Sequence, residues 1–176
     1  MVYNSDFFIA DDPESSQGID SELPTRKGEL HLRFYLPSGD EFALPATGIR
    51  EVMQQEVDRI TAIPNASPLL LGTINLRGQV IWVADLGQFL GDSAVLNTER
   101  AEIPVIAVED QETLLGLAID RLGSMEWLDD EQLQMPLFVA DNIAPYVQGE
   151  WVLNQEENQF LRLLDYGAIL RSARWA

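Results

Sequence analysis

From Glu29 onward the chain is a succession of short β-patterned runs separated by turn residues, and this rhythm limits its fold more than any other feature. Leu30, Leu32, Phe34 and Leu36 alternate with His31, Arg33 and Tyr35, as on a strand with one apolar face. Pro37-Ser38-Gly39-Asp40 makes a turn, and Glu41 to Pro45 returns. The stretch Gly72-Thr73-Ile74-Asn75-Leu76-Arg77-Gly78-Gln79-Val80-Ile81-Trp82-Val83-Ala84-Asp85-Leu86 reads as a second hairpin. Arg77-Gly78 is its turn, and Asp85 is placed to cap a following helix. Ile103 to Val108, a turn at Glu109-Asp110-Gln111-Glu112, and Thr113 to Ile119 form a third. Ile143 to Leu153 and Gln159 to Leu164 form a fourth around Asn154–Asn158, after which Asp165 caps a last helix carrying Ile169 and Leu170. Turns spaced roughly 8–12 residues apart predict small barrels or a sandwich.

The layout repeats. After the first hairpin, Ile49, Val52 and Met53 recur at i, i+3 and i+4, which predicts a helical crossover. After the third, Asp120-Arg121-Leu122-Gly123-Ser124-Met125 follows in the same way. Phe34–Val52 set beside Ile106–Met125 gives a pseudo-repeat of hairpin plus crossover. It predicts two subdomains of similar architecture, with Gly91 to Glu102 as a polar connector between them and the Arg77 hairpin in the first.

The chain has 176 residues, of which 46% are hydrophobic, enough to bury a sizeable core. Its formal net charge is −18, from 29 acidic and 11 basic residues. Such a charge repels nucleic acid and anionic membranes, so neither is an expected partner. It serves solubility or steers a basic partner. Residues 1–27 concentrate acidity: Asp6, Asp11, Asp12, Glu14, Asp20 and Glu22 precede the first basic residue, Arg26. A segment this poor in apolar groups is expected to remain a disordered tail, with Phe7-Phe8-Ile9 as a local exception. No run reaches the ~20 apolar residues of a membrane helix. Neither a signal peptide nor direct membrane insertion is expected.

Catalytic chemistry finds little to stand on. With no cysteine, disulfides, thiol catalysis and thiolate metal sites are excluded, which fits the cytoplasm. The single histidine, His31, falls on the polar face of the first strand, so a solvated side chain is expected there. One histidine allows neither a multi-histidine metal site nor, without a nucleophile motif, a hydrolytic triad. Asp129-Asp130 and Glu156-Glu157 lack the glycine-anchored ladder of a calcium loop. Lys27 is the only lysine, and no glycine-rich loop precedes it. No catalytic residue, metal or cofactor is assigned. The tryptophans, Trp82, Trp127, Trp151 and Trp175, are expected in core or interface packing. Glu51 and Arg77 are the most informative charged couple. They make either an exposed ion pair of little energetic weight or a recognition feature on a binding rim.

Ile63-Pro64-Asn65, Leu71 to Gly78, and Val80 to Leu86 resemble the signature of the CheW-like chemotaxis coupling proteins. Ile49-Arg50-Glu51-Val52 is similar to the family's crossover segment, and Leu115 to Asp120 to the matching strand of its second subdomain. The resemblance spans residues 28–172, leaving 173–176 as a C-terminal end. It implies a mainly β fold: two SH3-like, five-stranded β-barrel subdomains, interleaved and joined near 91–102, sharing a hydrophobic core, with short helices and a C-terminal helix. It implies a non-enzymatic adaptor in the cytoplasm, peripheral to membrane receptor arrays. Such proteins couple methyl-accepting chemoreceptors to a CheA-type histidine kinase. By position, Glu51 and Arg77 match the charged pair beside the groove that grips the receptor's cytoplasmic hairpin tip. Val52, Gly116, Leu122 and Met125 match its apolar wall. Asn65, Leu71 and Gly72 match the region facing the kinase's regulatory domain. The chain departs from the family where Trp82 replaces the usual proline, where Met53–Asp58 runs about two residues longer, and in its acidic tail. These departures suggest a branch serving phototaxis or type IV pilus twitching motility. A small β-barrel enzyme is the remote alternative.

Overall fold

The computed structural model describes residues 28–176. The acidic segment 1–27, with Phe7-Phe8-Ile9, lies outside the described residues. The strands are β1 (Glu29–Tyr35), β2 (Glu41–Pro45), β3 (Ile49–Glu56), β4 (Leu70–Leu76), β5 (Gln79–Asp85), β6 (Glu102–Asp110), β7 (Thr113–Ala118), β8 (Arg121–Leu128), β9 (Val147–Asn154) and β10 (Gln159–Leu164). Two short helices, α1 (Leu86–Leu90) and α2 (Tyr166–Leu170), each follow a hairpin. Asp85 and Asp165 start them. Their carboxylates accept the N–H of Gln88 at 3.1 Å and of Ala168 at 3.0 Å, filling donors a helix end leaves open.

The strands form two five-stranded sheets, ordered β8-β1-β2-β10-β9 and β3-β6-β7-β5-β4. Adding five to each strand number of one sheet, cyclically, gives the other. The pseudo-repeat is therefore β1–β5 against β6–β10, and the segment at 91–101 joins its halves. The sheets themselves are joined elsewhere. The chain passes from one to the other between β2 and β3, and back between β7 and β8. The Arg77 hairpin, β4–β5, consequently shares a sheet with β6–β7, where β5 and β7 run parallel with Val83 opposite Gly116.

Period-two alternation feeds two kinds of core. Along β6, Ile103, Val105 and Ala107 point into the interior of their own curled sheet, beside Ile74, Ile81, Val83 and Ala118. Ile106 and Val108 point the other way, into a core shared by both sheets and containing Leu32, Phe34, Phe42, Leu44, Leu117, Phe89 and Leu164. The first sheet has its own interior of Ala43, Trp151, Leu161 and Leu163. The architecture is thus two SH3-like half-barrels around a common core. Each fully buried large aliphatic or aromatic side chain there contributes roughly 1.5–3 kcal/mol.

Three sequence expectations change. Ile49 to Glu56 is a strand, not a helical crossover: it pairs antiparallel with β6, and Arg50, Val52, Gln54 and Glu56 alternate outward. A bulge between Ile49 and Glu51 shifts the phase, which is why its apolar residues mimic a 3.6 period. His31 is buried, not solvated, at 1% exposure. The curl of the first sheet turns its face inward, where Nδ1 is 2.8 Å from the Glu29 carbonyl and the ring lies edge-on to Trp151. The last hairpin begins at Val147 rather than Ile143. Ile143 packs in the shared core, and Ala144–Tyr146 is one turn of 3-10 helix that accommodates Pro145.

Candidate functional site

The hairpin β4–β5 closes in a two-residue turn in which both central residues are left-handed, Arg77 at φ 50° and Gly78 at φ 85°. This is the geometry whose twist matches flanking strands. The Asn75 carboxamide oxygen accepts the Gly78 N–H at 2.8 Å. Arg77 points back across the sheet to Glu51 on β3, with Nε donating to Oε2 at 3.0 Å and Nη2 to Oε1 at 3.2 Å. β3 and β4 are the two edges of their sheet, so this two-pronged pair spans the seam between them. The Arg77 hydrogen bonds, with help from the charge of Arg50, hold the Glu51 carboxyl below its ordinary value of 4.5. The same contact pushes Arg77 further above its own.

Three of the apolar candidates, Val52, Leu122 and Met125, lie on the strands that directly follow each change of sheet. Val52 on β3 and Met125 on β8 are exposed, at 38% and 48%. They are equivalent under the pseudo-symmetry. Val52 pairs with Ile106 of β6, and Met125 with Leu32 of β1. Ile106 and Leu32 correspond, since Ile106 faces Leu117 and Leu32 faces Leu44. Leu122 packs from β8 onto the shared core. Gly116 is placed differently from the expectation of a groove wall. It is buried on β7, and a Cβ there would stand 2.9 Å from Val105 Cγ1 and 3.3 Å from Val83 Cγ2, so it serves close packing inside the half-barrel.

The second group divides as well. Asn65 is exposed with φ 64°. Leu71 packs against the interior cluster, and Gly72 is buried at φ 149°, where a Cβ would lie 2.2 Å from the Thr61 carbonyl oxygen. Asn65 lines a cleft of about 500 Å³ with Ile63, Leu70, Trp82, Leu170 and Trp175. The sequence placed these tryptophans in core or interface packing but did not show the cleft, because its walls come from β4, β5, β7, the 63–67 loop and the C-terminal turn. A further missed surface is Met135, Leu137 and Phe138, exposed at 76%, 77% and 86%. Their backbone is tied down where Arg162 Nη2 donates to the Phe138 carbonyl at 2.8 Å. The only signal was an apolar run between acidic residues.

Residues 32–174 match the CheW-like domain family. The chain is a member of the CheW-like family. The chemotaxis protein CheW of Bacillus subtilis is 27% identical over 146 residues, covering 82% of this chain and 88% of the relative. That of Rhizobium meliloti is 31% identical over 69% of this chain and 77% of its own. Protein PilI of Pseudomonas aeruginosa is 28% identical over 63% and 61%. The crystal structure of the scaffolding protein TtCheW from Thermoanaerobacter tengcongensis superposes with a TM-score of 0.65 at 22% identity, covering 78% of this chain and 89% of that one. The Bacillus and Rhizobium relatives are both named as chemotaxis proteins. No helix of the described residues is long and apolar enough to cross a membrane.

Proposed function

We propose that this CheW-like protein is a non-enzymatic adaptor that holds a chemoreceptor's cytoplasmic hairpin tip and the regulatory domain of a CheA-type histidine kinase in one assembly. The observation that carries the receptor half is the Glu51–Arg77 pair next to exposed Val52 on β3, together with Met125, exposed at the equivalent position of β8. An amphipathic helix needs such a surface, with apolar contacts at its centre and charge at the rim. Leu122 backs that surface from the core, and Gly116 lets the strands beneath it approach closely. The kinase half rests on the cleft at Asn65, where exposed Trp82 is a side chain of the type that anchors interfaces. Leu71 and Gly72 shape this face from beneath.

A pilus or other surface-motility pathway is the second reading, favoured by the match to PilI. Titrating the full chain with a soluble receptor-tip fragment, and separately with a kinase regulatory domain, tests the adaptor. Binding of both is expected; absence of binding to either at tens of micromolar rejects the corresponding half. Running the same titration with chemotaxis and pilus partners in parallel separates the two pathways by affinity.

A further inference from the structure

We propose that Asn75 is a positioning residue that sets the orientation of Arg77 toward Glu51 without touching either side chain's charged end. The inference rests on the receptor-side reading of that pair and adds the device that keeps it in place. A left-handed backbone is unfavourable for a residue with a Cβ, and arginine has no short polar group with which to stabilise it locally. Asn-Gly is the usual filling of this turn. Here the turn residues are Arg77-Gly78, and the asparagine stands two positions before the arginine. Its Oδ1 accepts the Gly78 N–H, bracing the backbone on both sides of Arg77. Asn75 is exposed and pairs with Val80 across the ladder, so it has no core to fill. What it holds is a backbone conformation, and through it the vector along which Arg77 leaves the hairpin.

The molecule supplies its own comparison. The corresponding hairpin β9–β10 also carries an asparagine ahead of its turn, at the last paired residue of β9 rather than one pair earlier. Asn154 Oδ1 accepts the N–H groups of Glu156 at 3.0 Å and Glu157 at 3.3 Å. That turn, Gln155-Glu156-Glu157-Asn158, carries no arginine. The same bracing chemistry therefore serves a bare turn in one half of the chain and an aimed cation in the other. Two short hydrogen bonds at 3.0 and 3.2 Å require the guanidinium plane and the carboxylate to be aligned together, so a few ångströms of tip movement would break both.

The test compares Asn75→Ala, Asn75→Asp and Asn154→Ala in the full chain. The Glu51 carboxyl is titrated by NMR, and the affinity of a receptor-tip fragment is measured alongside. In Asn75→Ala the Glu51 midpoint is expected to rise toward 4.5, with tip affinity falling several-fold. Asn75→Asp keeps the acceptor oxygen and is expected to retain both. Asn154→Ala is expected to leave both at wild-type values whatever it does to stability. A Glu51 midpoint unmoved in Asn75→Ala, or moved equally by Asn154→Ala, overturns the proposal. A shifted midpoint with unchanged tip affinity upholds Asn75 as the positioning residue and removes the receptor reading of the pair.

Discussion

Val52 and Met125 occupy the same place in the two halves of the chain. Each is an exposed apolar residue, at 38% and 48%, on a strand that crosses from one half-barrel to lie at the edge of the other. Each also follows a bulge, between Ile49 and Glu51 in one pairing and between Leu32 and Phe34 in the other. A surface made from equivalent positions has little structural reason to be apolar twice, which fits a shared partner. Val52→Glu and Met125→Glu are therefore expected to change stability by no more than about 0.5 kcal/mol each, as surface substitutions do. Both should weaken receptor-tip binding by at least tenfold in a calorimetric titration. Wild-type affinity in both variants removes these positions from the interface.

The Glu51–Arg77 pair has a definite pH signature. Its folded-state carboxyl is held below 4.5, so its contribution to stability is fully present above the unfolded value and is lost as pH falls through the lowered folded value. Denaturant midpoints of wild type and Arg77→Ala should differ slightly at pH 7 and converge in acid below the ordinary glutamate range. A gap that stays constant on acidification shows that Arg77 acts through something other than Glu51.

Asp85 behaves in the opposite sense. Burial pushes its carboxyl up, against the Gln88 N–H that favours the charged form. A raised carboxyl value means stability is greater when the group is protonated and falls as pH rises through that value. Asp85→Asn keeps the cap and drops the buried charge, so it is expected to match or exceed wild type at pH 7. Asp85→Ala is expected to lose about 1 kcal/mol. Urea melts of the three proteins decide the order; equal losses in both variants contradict it.

Most of the strand layout was legible because turn chemistry and alternation act locally. Pro37 to Asp40, Arg77-Gly78, the 109–112 turn and both aspartate caps were readable from a few residues each. What was not legible depends on curvature and crossing. A bulge disguised β3 as a helix, because one extra residue moves every following side chain to the other face. His31 looked exposed because a flat strand has an outside, whereas a curled sheet encloses both faces. The Glu51–Arg77 couple was readable as two charges, but only the sheet order makes them meet across a seam. The cleft beside Trp82 gathers residues as distant in sequence as Ile63 and Trp175, which no local pattern relates.

Interleaving also fixes how the protein unfolds. Phe34, fully buried in the shared core, contacts elements of both half-barrels' common interior. Phe34→Ala is expected to cost about 3–5 kcal/mol. It should lower a single calorimetric transition for the whole described domain rather than split it. Two separable transitions, with only one shifted, would show that the half-barrels are independent.

The central claim, that this CheW-like protein joins a receptor tip to a kinase regulatory domain, is tested most directly by sedimenting the two partners together with and without it. A ternary complex that forms only when the full chain is present, and that is lost with Arg77→Ala on the receptor side and Trp82→Ala on the kinase side, is the predicted result. Binding of one partner that excludes the other contradicts the account.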